Sequence, residues 1–286
     1  NWCSGVRIHE INSAGGSEIM KFTARPLFLG LFVFWIFFPF LSIIIWSVAA
    51  GWRFPDLLPE EYSTRGYQVS LDPNGDIVRG AITSTIIAII VGVLATAIGS
   101  AAGRAIALYA FKFKKMFQFL VLAPLIVPGL AVTMGIQILF IKYGLADTAR
   151  GVVLAHLIPT VPYVVMIMSG TFANFDVSYE EQGHVLGANR WTVLRKITLP
   201  IVLPGLAVSF LFAFVISWSE YILTLLVGGA AIKTLPMVLF AFLRGSDLTL
   251  VGAASIVFMI PPLLLLRFTS KHLVGRSSSV TGLGSV

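Results

Sequence analysis

Charge is scarce in this chain. Only 12% of its 286 residues are Asp, Glu, Lys or Arg, where a soluble domain carries about a quarter, and that shortage excludes a water-exposed globule. Cysteine is nearly absent too: the single Cys3 allows neither an internal disulfide nor a thiolate metal cluster. The sequence has no Gly-x-x-x-x-Gly-Lys-[Ser/Thr] loop to cradle ATP phosphates, no His-Glu-x-x-His pair and no Gly-x-Ser-x-Gly elbow. Hydrolytic chemistry therefore has no visible foundation, and the chain reads as non-catalytic, without a cofactor or metal of its own. A basic face interleaved with aromatics is also missing, so the net charge of +7 is not read as a nucleic-acid footprint.

What the sequence holds instead is apolar length. Hydrophobic residues make up 57% and the mean hydropathy is +0.91. Six apolar stretches can be marked: Leu27–Ala50, Val78–Ala102, Met116–Ile141, Gly151–Phe172, Ile201–Val227 and Leu248–Leu266. Each is near the roughly 20 residues that a helix needs to cross a bilayer, about twice the length of a barrel strand. Hydrocarbon demands that a spanning segment satisfy its own backbone hydrogen bonds. The fold class expected is thus an all-α polytopic membrane protein with six transmembrane helices, solvated by lipid.

The cations set the orientation, because Lys and Arg accumulate on the cytoplasmic side. With the N-terminus inside, cytoplasmic segments hold Arg7, Lys21, Arg25, Arg104, Lys112, Lys114, Lys115, Arg190, Arg195, Lys196, Arg267, Lys271 and Arg276, thirteen in all. The other side holds seven, Arg53, Arg65, Arg79, Lys142, Arg150, Lys233 and Arg244. Both termini are expected in the cytoplasm. Residues 1–26 read as an N-terminal tail, 27–266 as the membrane body and 267–286 as a C-terminal tail. Within the first tail, 1–19 lacks the apolar core of a secretory signal and is either a native arm or an extension ahead of Met20-Lys21. The segment from Gly51 to Ile77, with Pro55, Pro59 and Asp72-Pro73-Asn74-Gly75, suits an ordered external loop. Prolines recur within the apolar runs at 39, 124, 128, 159, 162, 204, 261 and 262. They either kink helices around a pathway or reflect the tolerance of membrane helices for proline.

One polar segment, 174–200, breaks the pattern of short loops. Ser178 with Glu181 three residues on has the form of a capping box at a helix start. Gly187 can supply the left-handed conformation that ends that helix, and Asn189, after Ala188, can cap the next. In the second arm Trp191, Leu194 and Ile197 recur at threes on one face, with Arg190, Arg195 and Lys196 elsewhere. Leu199-Pro200 is then expected to redirect the chain into the fifth span. The reading is a capped helix, a sharp turn and a second helix.

Here the sequence resembles the permeases of binding-protein-dependent ABC importers. Their cytoplasmic signature is Glu-Ala-Ala, three residues, Gly, nine residues, Ile, one residue, Leu-Pro. Glu181-Gln182-Gly183, Gly187, Ile197 and Leu199-Pro200 stand at those spacings, with Gln182 and Gly183 departing from the two alanines. The resemblance implies the type I importer permease fold in a bacterial inner membrane. It also implies that 178–196 couples to a separate ATPase, which binds the ATP. The partners it implies are two such ATPase subunits, a second permease, identical or homologous, and an extracytoplasmic solute-binding protein. An interfacial amphipathic hairpin on lipid headgroups is the bland alternative.

Inside the fifth span, Ser217-Trp218-Ser219-Glu220-Tyr221 carries an ionisable group where one is costly. Ser217, Trp218, Glu220 and Tyr221 are therefore candidate pathway residues. Glu220 could line a cation-selective path, pair with a partner permease, or simply hydrogen-bond Ser217 or Thr224. His156 in the fourth span is either a satisfied core histidine or a proton carrier. A self-contained secondary transporter using Glu220 and His156 is the rival reading, although no internal repeat of the kind such carriers show is visible. Trp52-Arg53-Phe54-Pro55, the Ser217–Tyr221 run, Gly228-Gly229 and Thr234-Leu235-Pro236 are similar to the spermidine/putrescine branch of the family, which makes a polyamine the first guess for cargo.

Overall fold

A computed structural model describes the backbone of residues 11–274, apart from 53–55, 57, 128 and 246, and side chains within residues 28–270. Cys3, the beginning of the expected tail, Arg53-Phe54-Pro55, Pro128 and the stretch from Gly275 onward lie outside the described residues. Helix α1 (Ile11–Val48) leads through a short antiparallel pair, β1 (Ala49–Ala50) with β2 (Glu61–Tyr62), to α2 (Arg65–Ser70). Then come α3 (Asp76–Leu108), α4 (Lys114–Ile126), α5 (Gly129–Lys142), α6 (Ala149–Ala173), α7 (Ser178–Val185) and α8 (Arg190–Val193). A π turn (Leu194–Thr198) joins α8 to α9 (Leu199–Ser219), followed by α10 (Ile222–Gly228), α11 (Leu235–Arg244) and α12 (Leu248–Val274).

Five helical segments are long and apolar enough to cross a membrane: Phe28–Val48, Asp76–Leu108, Ala149–Ala173, Arg190–Ser219 and Leu248–Ser270. A sixth crossing results when α4 and α5, inclined to each other by 100°, are taken as one broken span. Helix α1 is described from Ile11 onward, with its membrane-length part at Phe28–Val48, and two apolar runs differ from their expected form. The third apolar run is two helices, not one. The fifth, read as continuous to Val227, leaves the helix at Glu220, whose ψ of 116° is extended. Proline does not cause that second break, and α6, α9 and α12 run on through their internal prolines.

Helices α3, α6 and α9 form the centre, with the most extensive contact between α3 and α6, while α1 lies along α12. Lipid tails are as apolar as leucine, so packing between spanning helices depends on small residues that let backbones approach. Gly103 of α3 shows the consequence: a Cβ there would stand 2.8 Å from both Met168 Cβ and the Ser169 amide nitrogen of α6. Three apolar clusters fill the bundle, one built around Phe214 and Trp218, one around Val91 and Val152, and one around Val164 and Met168. The outward faces of α1, α3 and α5 remain strongly apolar, as at Phe28, Trp35, Ile82 and Ile138. In the loop between α1 and α3, α2 packs on α12, and Arg65 pairs with Asp247 at 2.9 Å.

Candidate functional site: a capped hairpin and a broken span

The hairpin between α6 and α9 is built by short-range hydrogen bonds. Gly187 has φ +81°, its amide donates to His184 O at 3.0 Å, and the Ala188 amide donates to Gly183 O at 3.0 Å. These are the two backbone bonds of a Schellman stop, which needs a residue tolerant of positive φ after the last helical turn. Asn189 Oδ1 then accepts the Thr192 amide at 2.8 Å and starts α8. Replacing Asn189 with Ala should cost about 1 kcal/mol of local stability. That loss would be read as faster amide exchange over 190–193 with no change in membrane insertion.

Several residues sit differently from the sequence reading. No capping box forms, because Ser178 is already the first residue of α7 and its amide donates to Asp176 Oδ1 at 2.9 Å. Asp176, two residues upstream, supplies the acceptor through an Asx turn, and its hydrogen bonds from Ser178 hold the carboxyl below the usual carboxylate range. Glu181 is exposed. Trp191, Leu194 and Ile197 do not share a face: Trp191 (68%) and Leu194 (40%) are exposed, while the inward side is Val193, Thr198 and the half-buried Ile197. The wider π turn changes the register on which a threefold spacing relies. Leu199-Pro200 does not redirect the chain either, since the helix runs unbroken from Arg190 to Ser219. Pro200 has no amide to donate, and the π turn just before it absorbs the misfit. Gly183, a departure from the family alanines, lies against the second arm, where a Cβ would meet Ile197 Cδ1 at 2.7 Å and Val193 Cγ2 at 3.2 Å.

The contact that sequence reasoning missed involves Glu180, the neighbour of the motif glutamate. Arg104, near the end of α3, holds it with two parallel bonds, Nη1 to Oε1 at 2.9 Å and Nη2 to Oε2 at 2.6 Å. The Thr198 hydroxyl donates to the same Oε1, and the Arg104 guanidinium stands 5.7 Å from the centre of the Phe172 ring. Burial alone would raise the Glu180 carboxyl. The hydrogen bonds from Arg104 and Thr198, with the charges of Arg104 and His184, outweigh burial and hold it below its ordinary range, so it stays ionised at neutral pH. A groove of about 440 Å³ opens beside this group, lined by Arg104, Tyr109, Glu180, His184, Arg190 and Leu194 among others. A basic residue at the end of an apolar run was the available signal, but its partner lies 76 positions away.

The pathway candidates separate into two groups. Ser217 is buried and bonds His156 Nδ1 at 2.9 Å, while His156 Nε2 meets Thr224 Oγ1 at 2.9 Å. The Thr224 hydroxyl donates to Glu220 O, so its oxygen accepts from the ring and Ser217 donates to Nδ1. His156 is thus a satisfied strut from α6 to both sides of the break. Trp218 is core, stacked between Phe214 and Phe258 with its Nε1 donating to Phe258 O at 3.1 Å. Tyr221 stacks on Phe240 at 4.2 Å. Glu220 lines a cavity about 380 Å³ in volume, with Pro124, Thr133, Ile136, Pro159 and Ile222, and the other three do not border it. The Glu220 Oε1 accepts the Leu223 amide at 3.1 Å, which helps to start α10. Of the three roles weighed for its side chain, a bond to the Ser217 or Thr224 hydroxyl is not the one formed here; the carboxylate caps the backbone instead. The cavity therefore lies where the α4–α5 break faces the chain just past the end of α9.

A bundle of membrane-length helices that encloses a cavity between them suits a transport subunit. Residues 95–278 match the family described as binding-protein-dependent transport system inner membrane component, and the chain belongs to it. It is a non-catalytic permease subunit of an ABC importer in the inner membrane. Among similar proteins, the spermidine/putrescine transport system permease protein PotC of Escherichia coli K12 is 24% identical over 225 residues, 79% of this chain and 84% of that one. The putrescine transport system permease protein PotI of the same strain is 29% identical over 226 residues, 73% of this chain and 76% of its own length. A crystal structure of a bacterial ABC transporter that imports the acidic polysaccharide alginate has a chain of the same fold. The TM-score is 0.70 at 19% identity, covering 94% of this chain and 99% of that one.

Proposed function

We propose that this subunit forms a translocation pathway for a small cationic solute, polyamine-like, together with a second permease, and is driven by two ATPase subunits that grip the hairpin 178–196. A soluble receptor on the far side delivers the cargo, both termini lie in the cytoplasm, and residues 27–266 form the membrane body. The observation that carries the coupling role is the tip of the hairpin. Val185 (87%), Leu186 (86%) and Trp191 (68%) stand exposed there beside Arg190, Arg195 and Lys196, on a turn stiffened by its Schellman stop and Asn189 cap. Large apolar side chains exposed together mark a docking surface. Support for the receptor comes from a second alginate importer structure, with a TM-score of 0.62, described as a complex with a pentasaccharide-bound periplasmic protein.

The cargo reading rests on Glu220. It is the one charged residue among those lining the 380 Å³ cavity, and an ionisable group at such a depth faces a protein interior or a watery path. The fold does not choose the cargo, since it serves an acidic polysaccharide in the alginate importer. The lining favours an ammonium group over a carboxylate, in keeping with the names of PotC and PotI.

The test is to purify the subunit from its native membrane and identify a co-purifying ATPase. Candidate solutes presented with the receptor are then scored for stimulation of ATP hydrolysis in the reconstituted complex. Purification without any nucleotide-binding subunit would remove the coupling role. Replacing Glu220 with Gln should raise the half-saturating concentration of a diamine about tenfold, the order of one lost charge-assisted hydrogen bond. An unchanged value would remove Glu220 from the pathway.

A further inference from the structure

The hairpin is attached to the bundle by chain at both ends, through residues 174–177 to α6 and through the π turn to α9. Toward α3, the helix that packs most extensively on α6 and also on α9, the first attachment offers the apolar side chain of Phe175, in the cluster that holds Ala95 of α3. Arg104 adds a polar link with fixed geometry. Its guanidinium grips Glu180 of α7 with both nitrogens and lies over Phe172 in the last turns of α6. Through Glu180 it also shares the Thr198 hydroxyl at the end of the π turn. One planar group thus binds α3, α6, α7 and the root of α9 at a single point, with side-chain exposures of only 26% for Arg104 and 12% for Glu180.

We infer that Arg104 and Glu180 are positioning residues for energy coupling: their forked ion pair makes the hairpin and the α3–α6–α9 core move as one body, so that displacement of the tip reaches α3 directly. This rests on the coupling role proposed above. A shielded ion pair is a poor way to gain stability alone, because apolar side chains of similar volume do as well or better. What a two-pronged guanidinium–carboxylate contact adds is fixed orientation as well as distance. A joint that must pass on a rigid-body motion needs both. Without it, the non-helical turn at Phe175 and Asp176 and the wide π turn leave the hairpin two places to bend.

The experiment uses the complete complex, with its ATPase and receptor, in proteoliposomes, and reads solute delivered per ATP hydrolysed together with ATPase retained on purification. Arg104→Gln and Glu180→Gln should retain the ATPase and hydrolyse ATP, yet deliver at least about fivefold less solute per ATP, the low end of an allosteric coupling. Arg104→Lys, which keeps the charge and loses the fork, should fall between wild type and Arg104→Gln. A purely structural defect would reduce the number of working complexes and leave the ratio alone. A wild-type ratio in Arg104→Gln overturns the inference while the docking of the ATPase stands. Loss of the ATPase from the variants also overturns it, since the pair would then serve docking. A wild-type chain that never retains an ATPase fails the coupling reading itself. Should the Gln variants not accumulate, Thr198→Val, which removes one bond and leaves the ion pair, is scored by the same ratio: a partial loss supports the joint and a wild-type ratio overturns it.

Discussion

Gly103→Leu should leave almost no correctly packed subunit in the membrane. The position sits where α3 crosses α6. The first added carbon would already stand 2.8 Å from the Ser169 amide nitrogen and 3.0 Å from the Met168 carbonyl carbon. Two of its three nearest neighbours are backbone, so no rotamer change can make room. Relief requires the two central helices to separate, which opens the apolar cluster around Val164 and Met168. Overpacking of a tight core costs about 1–3 kcal/mol; a whole leucine against backbone should lie at or above the upper end, against a total stability of roughly 5–15 kcal/mol. Size-exclusion profiles of the detergent-extracted protein provide the measurement, with aggregated or degraded material expected. Gly170→Ala is the matched control, because nothing lies within 4 Å of a Cβ there, and its profile should match wild type.

Gly187→Val should abolish solute transport with the subunit still inserted and the ATPase still hydrolysing. No neighbour lies within 4 Å of a Cβ at this position, so the penalty comes entirely from the backbone. At φ +81° a side chain clashes with its own carbonyl, at about 1–2 kcal/mol for an ordinary residue and more for a β-branched one. The eight-residue α7 has little stability of its own with which to hold the turn against that strain. The Gly187 and Ala188 amides would leave their acceptors and the tip would lose its shape. Gly187→Asn tests this explanation, since asparagine tolerates the left-handed region and should keep most of the transport. Solute delivered per ATP is again the quantity to read, and a normal ratio in the valine variant would remove the tip from the mechanism.

Helices, the order of the elements and the turn of the hairpin were legible because they follow from signals within a few residues. Apolar length dictates spanning helices, and Gly187 and Asn189 dictate a stop and a start at their own positions. The family spacing around them was equally local. What could not be read depends on pairs that are distant in sequence or on competition between near neighbours. Arg104 and Glu180 meet only because α3 and α6 run together. Asp176, two residues before Ser178, takes the amide that a capping box would give to Glu181. The break at Glu220 falls in an apolar run with neither Pro nor Gly at the spot, where the carboxylate itself caps α10. Among the pathway candidates, sequence proximity grouped Ser217, Trp218, Glu220 and Tyr221, yet neighbours along a helix point in different directions, and only Glu220 lines the cavity.

The uninterrupted run from Arg190 to Ser219 has a mechanical meaning. Thirty residues at a rise of 1.5 Å make a strut roughly 45 Å long. Its foot is the second arm of the hairpin, and its head is the point where the backbone leaves the helix beside the acidic chamber. On the coupling and cargo roles proposed above, a shove at the foot would arrive at that carboxylate along a single stretch of chain, joining fuel consumption at one end to the grip on the passenger at the other.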